Sequence, residues 1–113
     1  MVKSRREIRK IIARYVTSLE MLGIEVSRII LFGSYAKGQA KEYSDIDIAV
    51  VSPAFEKMNI FERQEILSKA HHNFGEPIEP IGLRPDQLNE RHGFAKEVID
   101  HGFVIYTKEN KAA

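Results

Sequence analysis

Ile29-Ile30-Leu31-Phe32-Gly33-Ser34-Tyr35-Ala36-Lys37-Gly38-Gln39-Ala40-Lys41-Glu42-Tyr43-Ser44-Asp45-Ile46-Asp47-Ile48-Ala49-Val50-Val51 is the stretch that decides the architecture. Arg28 to Phe32 is a short β-rich run ending in glycine, and Ile46 to Val51 is another, closed by Ser52-Pro53. The segment from Ser34 to Lys41 has room for a short helix or turn, less than the dozen or so residues that a parallel crossover needs. The two runs are therefore expected to be antiparallel neighbours. Strand side chains alternate between faces, so Asp45 and Asp47 share one face while Ile46 and Ile48 point toward the core.

Outward from this unit, Ser4-Arg5-Arg6-Glu7 has the spacing of a capping box. Ile8, Ile11, Ile12, Tyr15, Val16, Leu19 and Leu22 follow at helical intervals until Gly23. Asn59 with Glu62 predicts a second helix, with apolar positions Ile60, Ile66, Leu67, Ala70 and Phe74, running to Gly75. Pro77 to Leu83 reads as a third strand, which Pro80 confines to an edge, a bulge or a strand end because it has no N–H for a ladder. Pro85 and the pattern Phe94, Ala95, Val98, Ile99 predict one broken or two short helices ending at Gly102, and Phe103 to Tyr106 a last strand. Strands and helices interleave without regular parallel crossovers. The expected fold is a small α+β sandwich, a mixed or antiparallel sheet with helices covering one face. One domain over 1–107 is expected, with 108–113 as a loose tail.

Seventeen Lys and Arg against sixteen Asp and Glu leave a net charge of +1, so there is no global basic field and nucleic-acid binding is unsupported. No apolar run approaches the ~18 residues of a membrane span. Without cysteine there is neither disulfide nor thiolate metal site, and the first residues lead into a charged amphipathic pattern, so a cytoplasmic location is expected.

Asp45 and Asp47 lie about 6.6 Å apart along a strand, close enough to converge on one divalent ion or bridge two. Oxygen ligands without His or Cys favour Mg²⁺ or Mn²⁺ over zinc. An isolated Asp-x-Asp is more often the solvated face of a strand. Gly33 permits a tight turn and close approach by a ligand, and Ser34 could cap a short helix while offering donors to a polyphosphate. An isolated Gly-Ser is more often a plain turn. The conjunction of the two changes the odds. Lys37 and Lys41 read as solvated loop lysines, and His71, His72, His92 and His101 lack metal-binding spacing. Tyr15 reads as core, and Arg5, Arg6, Arg9, Lys10 and Arg14 as a solvated helix face.

Gly33-Ser34, ten residues, then Asp45-x-Asp47 between apolar strands, with Ser44 before the first Asp, resembles the signature of the polymerase-β-like nucleotidyltransferase superfamily. Short length and Leu31-Phe32-Gly33-Ser34-Tyr35-Ala36 look like its minimal nucleotidyltransferases, the MNT proteins. The resemblance implies a third carboxylate on a later strand, matched here by Glu79, with an exposed edge charge as the competing reading; Glu76 and Asp86 are weaker candidates. It further implies a nucleotidyltransferase that moves AMP from ATP onto an acceptor hydroxyl. Asp45, Asp47 and Glu79 would hold two Mg²⁺ ions, and Gly33 and Ser34 would position the β and γ phosphates. Minimal members commonly pair with a HEPN-domain protein, and several act as antitoxins that adenylylate a tyrosine of that partner. The alternative is a catalytically weak binding module that neutralises a partner protein by contact.

Overall fold

Ser4 opens the first helix as its spacing predicts. Its hydroxyl accepts the Glu7 N–H at 3.1 Å and the Glu7 carboxylate accepts the Ser4 N–H at 3.0 Å, satisfying two otherwise orphaned donors. Helix α1 (Arg5–Met21) buries Ile8, Ile11, Ile12, Tyr15, Val16 and Leu19, the stripe set by its sequence period. The computed structural model describes residues 2–72, 74–89 and 93–108. His92 and residues 109–113 of the expected tail lie outside them. Lys108, the first residue of that tail, donates its N–H to the Ser27 carbonyl at 3.0 Å.

Strands β1 (Arg28–Phe32), β2 (Ile46–Val51), β3 (Ile78–Leu83) and β4 (Phe103–Thr107) form one sheet in the order β3-β2-β1-β4. The first two are antiparallel, as the short connection requires, and β4 is antiparallel to β1. The third runs parallel to β2, across a connection long enough to hold helix α3 (Ile60–His71). The sheet is therefore mixed and the fold α+β. Pro80 sits on β3 at the sheet edge, where its missing N–H leaves the ladder to β2 intact.

Helices cover both faces of the sheet, which corrects the expectation of one. Ile29, Leu31, Ile46, Ile48 and Val50 face α1, Leu67 of α3 and Phe55 in the main core. Ile30, Phe32, Ala49, Val51 and Leu83 form a second apolar layer with Val98 of helix α4 (Gly93–His101). The run Ala49-Val50-Val51 is apolar without alternation, as a strand covered on both sides must be. Gly102 ends α4 against β1: a Cβ there would lie 2.5 Å from the Val98 carbonyl and 2.8 Å from that of Leu31. The short segment before α4 is a 3-10 turn, Pro85–Asn89.

Helix α3 begins at its predicted cap, where Asn59 and Glu62 exchange bonds of 2.8 Å, but ends at His71 rather than near Gly75. At His72 the backbone turns extended, and Phe74 reaches the core from the following loop, edge-on to Tyr15 at 5.9 Å. The buried side of this helix also differs from its apolar pattern. Ile60 is 70% exposed while Arg63 is buried. Among the described residues no helix is long and apolar enough to cross a membrane.

Tyr15 joins the two helices of the main core, its fully buried hydroxyl donating to the Leu67 carbonyl at 2.8 Å. Burial holds its phenol well above the ordinary tyrosine range, which keeps it a hydrogen-bond donor near neutral pH. Tyr15→Phe should cost about 0.5–1.5 kcal/mol through loss of this buried hydrogen bond, read as a lower urea midpoint at unchanged slope.

Candidate metal and nucleotide site

The register of the sheet assembles the site from residues far apart in sequence. Phe32, the last residue of β1, pairs with Asp47 on β2, and Asp47 pairs on its other side with Glu79 on β3. Asp45 lies one residue before β2, on the same side as Asp47. Ile46 is tied to the entry of β3 by its N–H, which donates to the Pro77 carbonyl at 2.7 Å. All the carboxylates singled out by the resemblance thus sit at one end of the sheet, beside the Gly33-Ser34 turn.

Gly33 has φ 72°, a left-handed conformation that residues with a side chain rarely adopt. The closer constraint is Asp47. A Cβ on Gly33 would lie 2.1 Å from Asp47 Oδ2 and 2.9 Å from its Cγ, so the aspartate carboxylate packs against the bare α-carbon of the turn. Gly33 itself starts the short helix α2 (Gly33–Ala36), with Phe32 in the cap position and no side-chain cap bond. Ser34 is therefore not the cap expected of it; it lies inside the first turn, and its hydroxyl makes no hydrogen bond among the described residues.

Asp47 is half-buried, while Asp45 and Glu79 are exposed. Its pKa is raised, first by burial and then by the negative charges of Asp45 and Glu79. Among the described residues no three such side chains are drawn together closely enough to hold a metal ion as they stand. Three like charges repel, and a cation between them is what would reverse the sign of that interaction. The donor set is all oxygen, and the missing side chain of Gly33 gives the Asp47 carboxylate its room at the end of the sheet, so these residues fit a hard divalent ion such as Mg²⁺.

Lys37 is not the free loop cation its sequence suggests. Its Nζ contacts Glu97 Oε1 on α4 at 3.1 Å, and Glu97 Oε2 lies 3.7 Å from His101 Nε2. This pairing ties the segment after α2 to the helix covering the carboxylate-bearing face. No local signal announces a contact across 60 positions. Glu76 and Asp86 are engaged elsewhere, with Arg14 at 3.9 Å and Arg84 at 3.0 Å respectively.

A strand, a glycine turn and a return strand bearing paired aspartates, with a third carboxylate beside them in register, define a protein of the nucleotidyltransferase class. The model of the nucleotidyltransferase domain family matches residues 5–109, and the chain belongs to that family. It is 36% identical over 96 residues to MJ1305 of Methanocaldococcus jannaschii, assigned as a protein adenylyltransferase, covering 80% of this chain and 65% of that protein. The fold is shared with a protein from Sulfolobus solfataricus assigned as a nucleotidyltransferase, at a TM-score of 0.69 and 21% identity, over 93% of this chain and 85% of that one. It is also shared with a chain from the complex of tri-AMPylated Shewanella oneidensis HEPN toxin with MNT antitoxin. There the TM-score is 0.56 and the identity 18%, over 96% of this chain and 77% of that one.

Gly33→Ala should destabilise the protein by about 1–3 kcal/mol through backbone strain alone and should also displace Asp47, weakening Mg²⁺ binding in calorimetry. The raised pKa of Asp47 carries a second expectation. The folded state holds this proton more tightly than the unfolded chain, so this carboxylate lowers stability as pH rises through its shifted range. Without divalent cation, Asp47→Asn should therefore melt higher than the parent protein at neutral pH. The difference should vanish below the ordinary carboxylate range, as thermal melts across pH will show.

Proposed function

We propose that the protein is a Mg²⁺-dependent nucleotidyltransferase that moves AMP from ATP onto a hydroxyl, the acceptor being a tyrosine of a HEPN-type partner, and that it acts as the antitoxin of that pair. The observation that carries the reading is the Asp47 carboxylate packed against the bare α-carbon of Gly33, with Glu79 its register partner on β3 and Asp45 one residue before β2. Family membership supports the reaction class. The AMPylated HEPN toxin in the complex that contains a chain of this fold supports a HEPN-type acceptor.

Asp45 and Asp47 would hold the metal, with Mn²⁺ as an alternative to Mg²⁺, and Glu79 would complete the set. Held by these residues, Mg²⁺ would supply charge neutralisation for the triphosphate and a lowered pKa for the acceptor hydroxyl. Ser34 and the backbone N–H groups of the turn donate to the β and γ phosphates, holding the α phosphorus in line with the acceptor. The acceptor oxygen bonds to that phosphorus as the bond to pyrophosphate breaks, and Glu79 accepts the acceptor's proton. Asp47, confined by Gly33, is the ligand with the least freedom, so alignment depends on it first.

A second reading has its own observation. Asp45 and Glu79 are exposed, and the three carboxylates are not gathered as they stand, as suits a module that neutralises its partner by contact with little turnover. Labelled ATP, Mg²⁺ and a HEPN-type partner encoded beside this chain separate the two. Asp45→Asn and Asp47→Asn should each abolish label transfer while the fold persists, and Ser34→Ala should weaken ATP binding. Glu79→Gln should keep ATP binding and lose most turnover. Partner neutralisation that survives all of these substitutions would establish the contact-only module.

A further inference from the structure

Arg63 is the one charged side chain among the described residues that is buried, with 6% of its surface exposed. Its Nε donates to the Met58 carbonyl at 3.1 Å, and its Nη1 donates to the Gly82 carbonyl at 3.3 Å and to Gln87 Oε1 at 3.1 Å. Every one of these acceptors is neutral. Asp86, the carboxylate that acts on it from a distance, is already held by Arg84 in a two-pronged contact of 3.0 and 3.3 Å, and Arg84 adds a like charge. Burial and that like charge pull the guanidinium below its usual range, although it stays charged near neutral pH. A buried cation with no carboxylate bonded to it is an expensive thing for a small domain to keep.

Arg63 also lines an opening. With Ile60, Gln64, Ile81, Leu83 and Gln87 it bounds a cavity of about 290 Å³ beside β3, the strand at the sheet edge. Two of its five donors, those on Nη2, make no hydrogen bond among the described residues. Outside the cavity the apolar surface continues: Ile60 is 70% exposed and Phe61 beside it 84%. Exposed aliphatic and aromatic side chains around a buried, unpaired arginine make the composition of an interface anchor.

We propose that this cavity is a docking pocket for a partner protein, filled by a Glu or Asp side chain flanked by aliphatic residues. The carboxylate bonds the free Nη2 donors of Arg63 and supplies the missing anion, while the aliphatic neighbours cover Ile60, Ile81 and Phe61. Charge complementarity selects the carboxylate. The apolar surface beyond the cavity, which a small free acid leaves uncovered, selects a protein. Gly82 lies three residues after Glu79 on β3, about 10 Å at ~3.3 Å per residue, so a partner anchored here also reaches the carboxylate end of the sheet. That placement of an acceptor rests on the transferase reading; the docking itself does not.

The test uses the full chain without ATP or metal, so failure of transfer and failure of docking are separate results. The Arg63 Nε–H signal is followed by NMR during titration with the blocked tripeptide acetyl-Leu-Glu-Leu-amide, its Leu-Gln-Leu counterpart, and isocaproate. Docking predicts a saturable shift with the Glu peptide, a weaker one with isocaproate and none with the Gln peptide. Gln64→Glu, a nearly isosteric change at an exposed wall position, places a carboxylate beside Arg63 and should abolish the response with the fold unchanged. Equal shifts from the Glu and Gln peptides, no shift at all, or a response that survives Gln64→Glu would overturn the proposal. Isocaproate binding as tightly as the peptide would replace it with a site for small acids. A dimer in sedimentation that Gln64→Glu dissociates would replace the partner with a second copy of the chain.

Discussion

The contact between the α-carbon of Gly33 and the carboxylate of Asp47 is the constraint around which the site is organised. Two backbones meet there closely enough that a single methyl group on one would occupy the carboxylate of the other. That proximity is set by the antiparallel pairing of Phe32 with Asp47, so the Gly33-Ser34 turn and the Asp47 carboxylate hold one fixed relation. The left-handed turn at Gly33 directs the chain away at once into α2, leaving the first turn of that helix beside the carboxylate.

The central position of β2 makes the rest of the site possible. It receives the turn from β1 on one side and Glu79 from β3 on the other, and the parallel pairing sets Glu79 level with Asp47. The cost of this arrangement is electrostatic. Three carboxylates share one end of the sheet, and the half-buried one bears the penalty of burial and of both neighbours. Two apolar layers, one beneath α1 and α3 and one beneath α4, give the sheet the rigidity to hold such a corner.

Arg63 marks a second place where the fold keeps a charge at some cost. Its bonds join the loop before α3, strand β3 and the 3-10 turn beyond it, so the guanidinium staples the edge of the sheet that carries Glu79. An apolar residue of similar volume would pack there without burying a charge, but would lose the three bonds that hold this edge together.

Local chemistry was legible in the chain. Both capping boxes, the α1 stripe and the antiparallel β1–β2 pair followed from spacing alone, because each depends on residues a few positions apart, and the sheet edge is one of the three places that Pro80 left open for its strand. Asp47 lies on the strand that the apolar run from Ile46 to Val51 predicts. Tertiary structure decided what spacing cannot encode. Which strand lies beside β2, that α4 closes the second face, that Lys37 meets Glu97, and that Arg63 turns inward are all long-range pairings. The reason for Gly33 belongs there too. A sequence shows that glycine frees the backbone, but only the folded sheet brings the Asp47 carboxylate into the space a side chain would have filled.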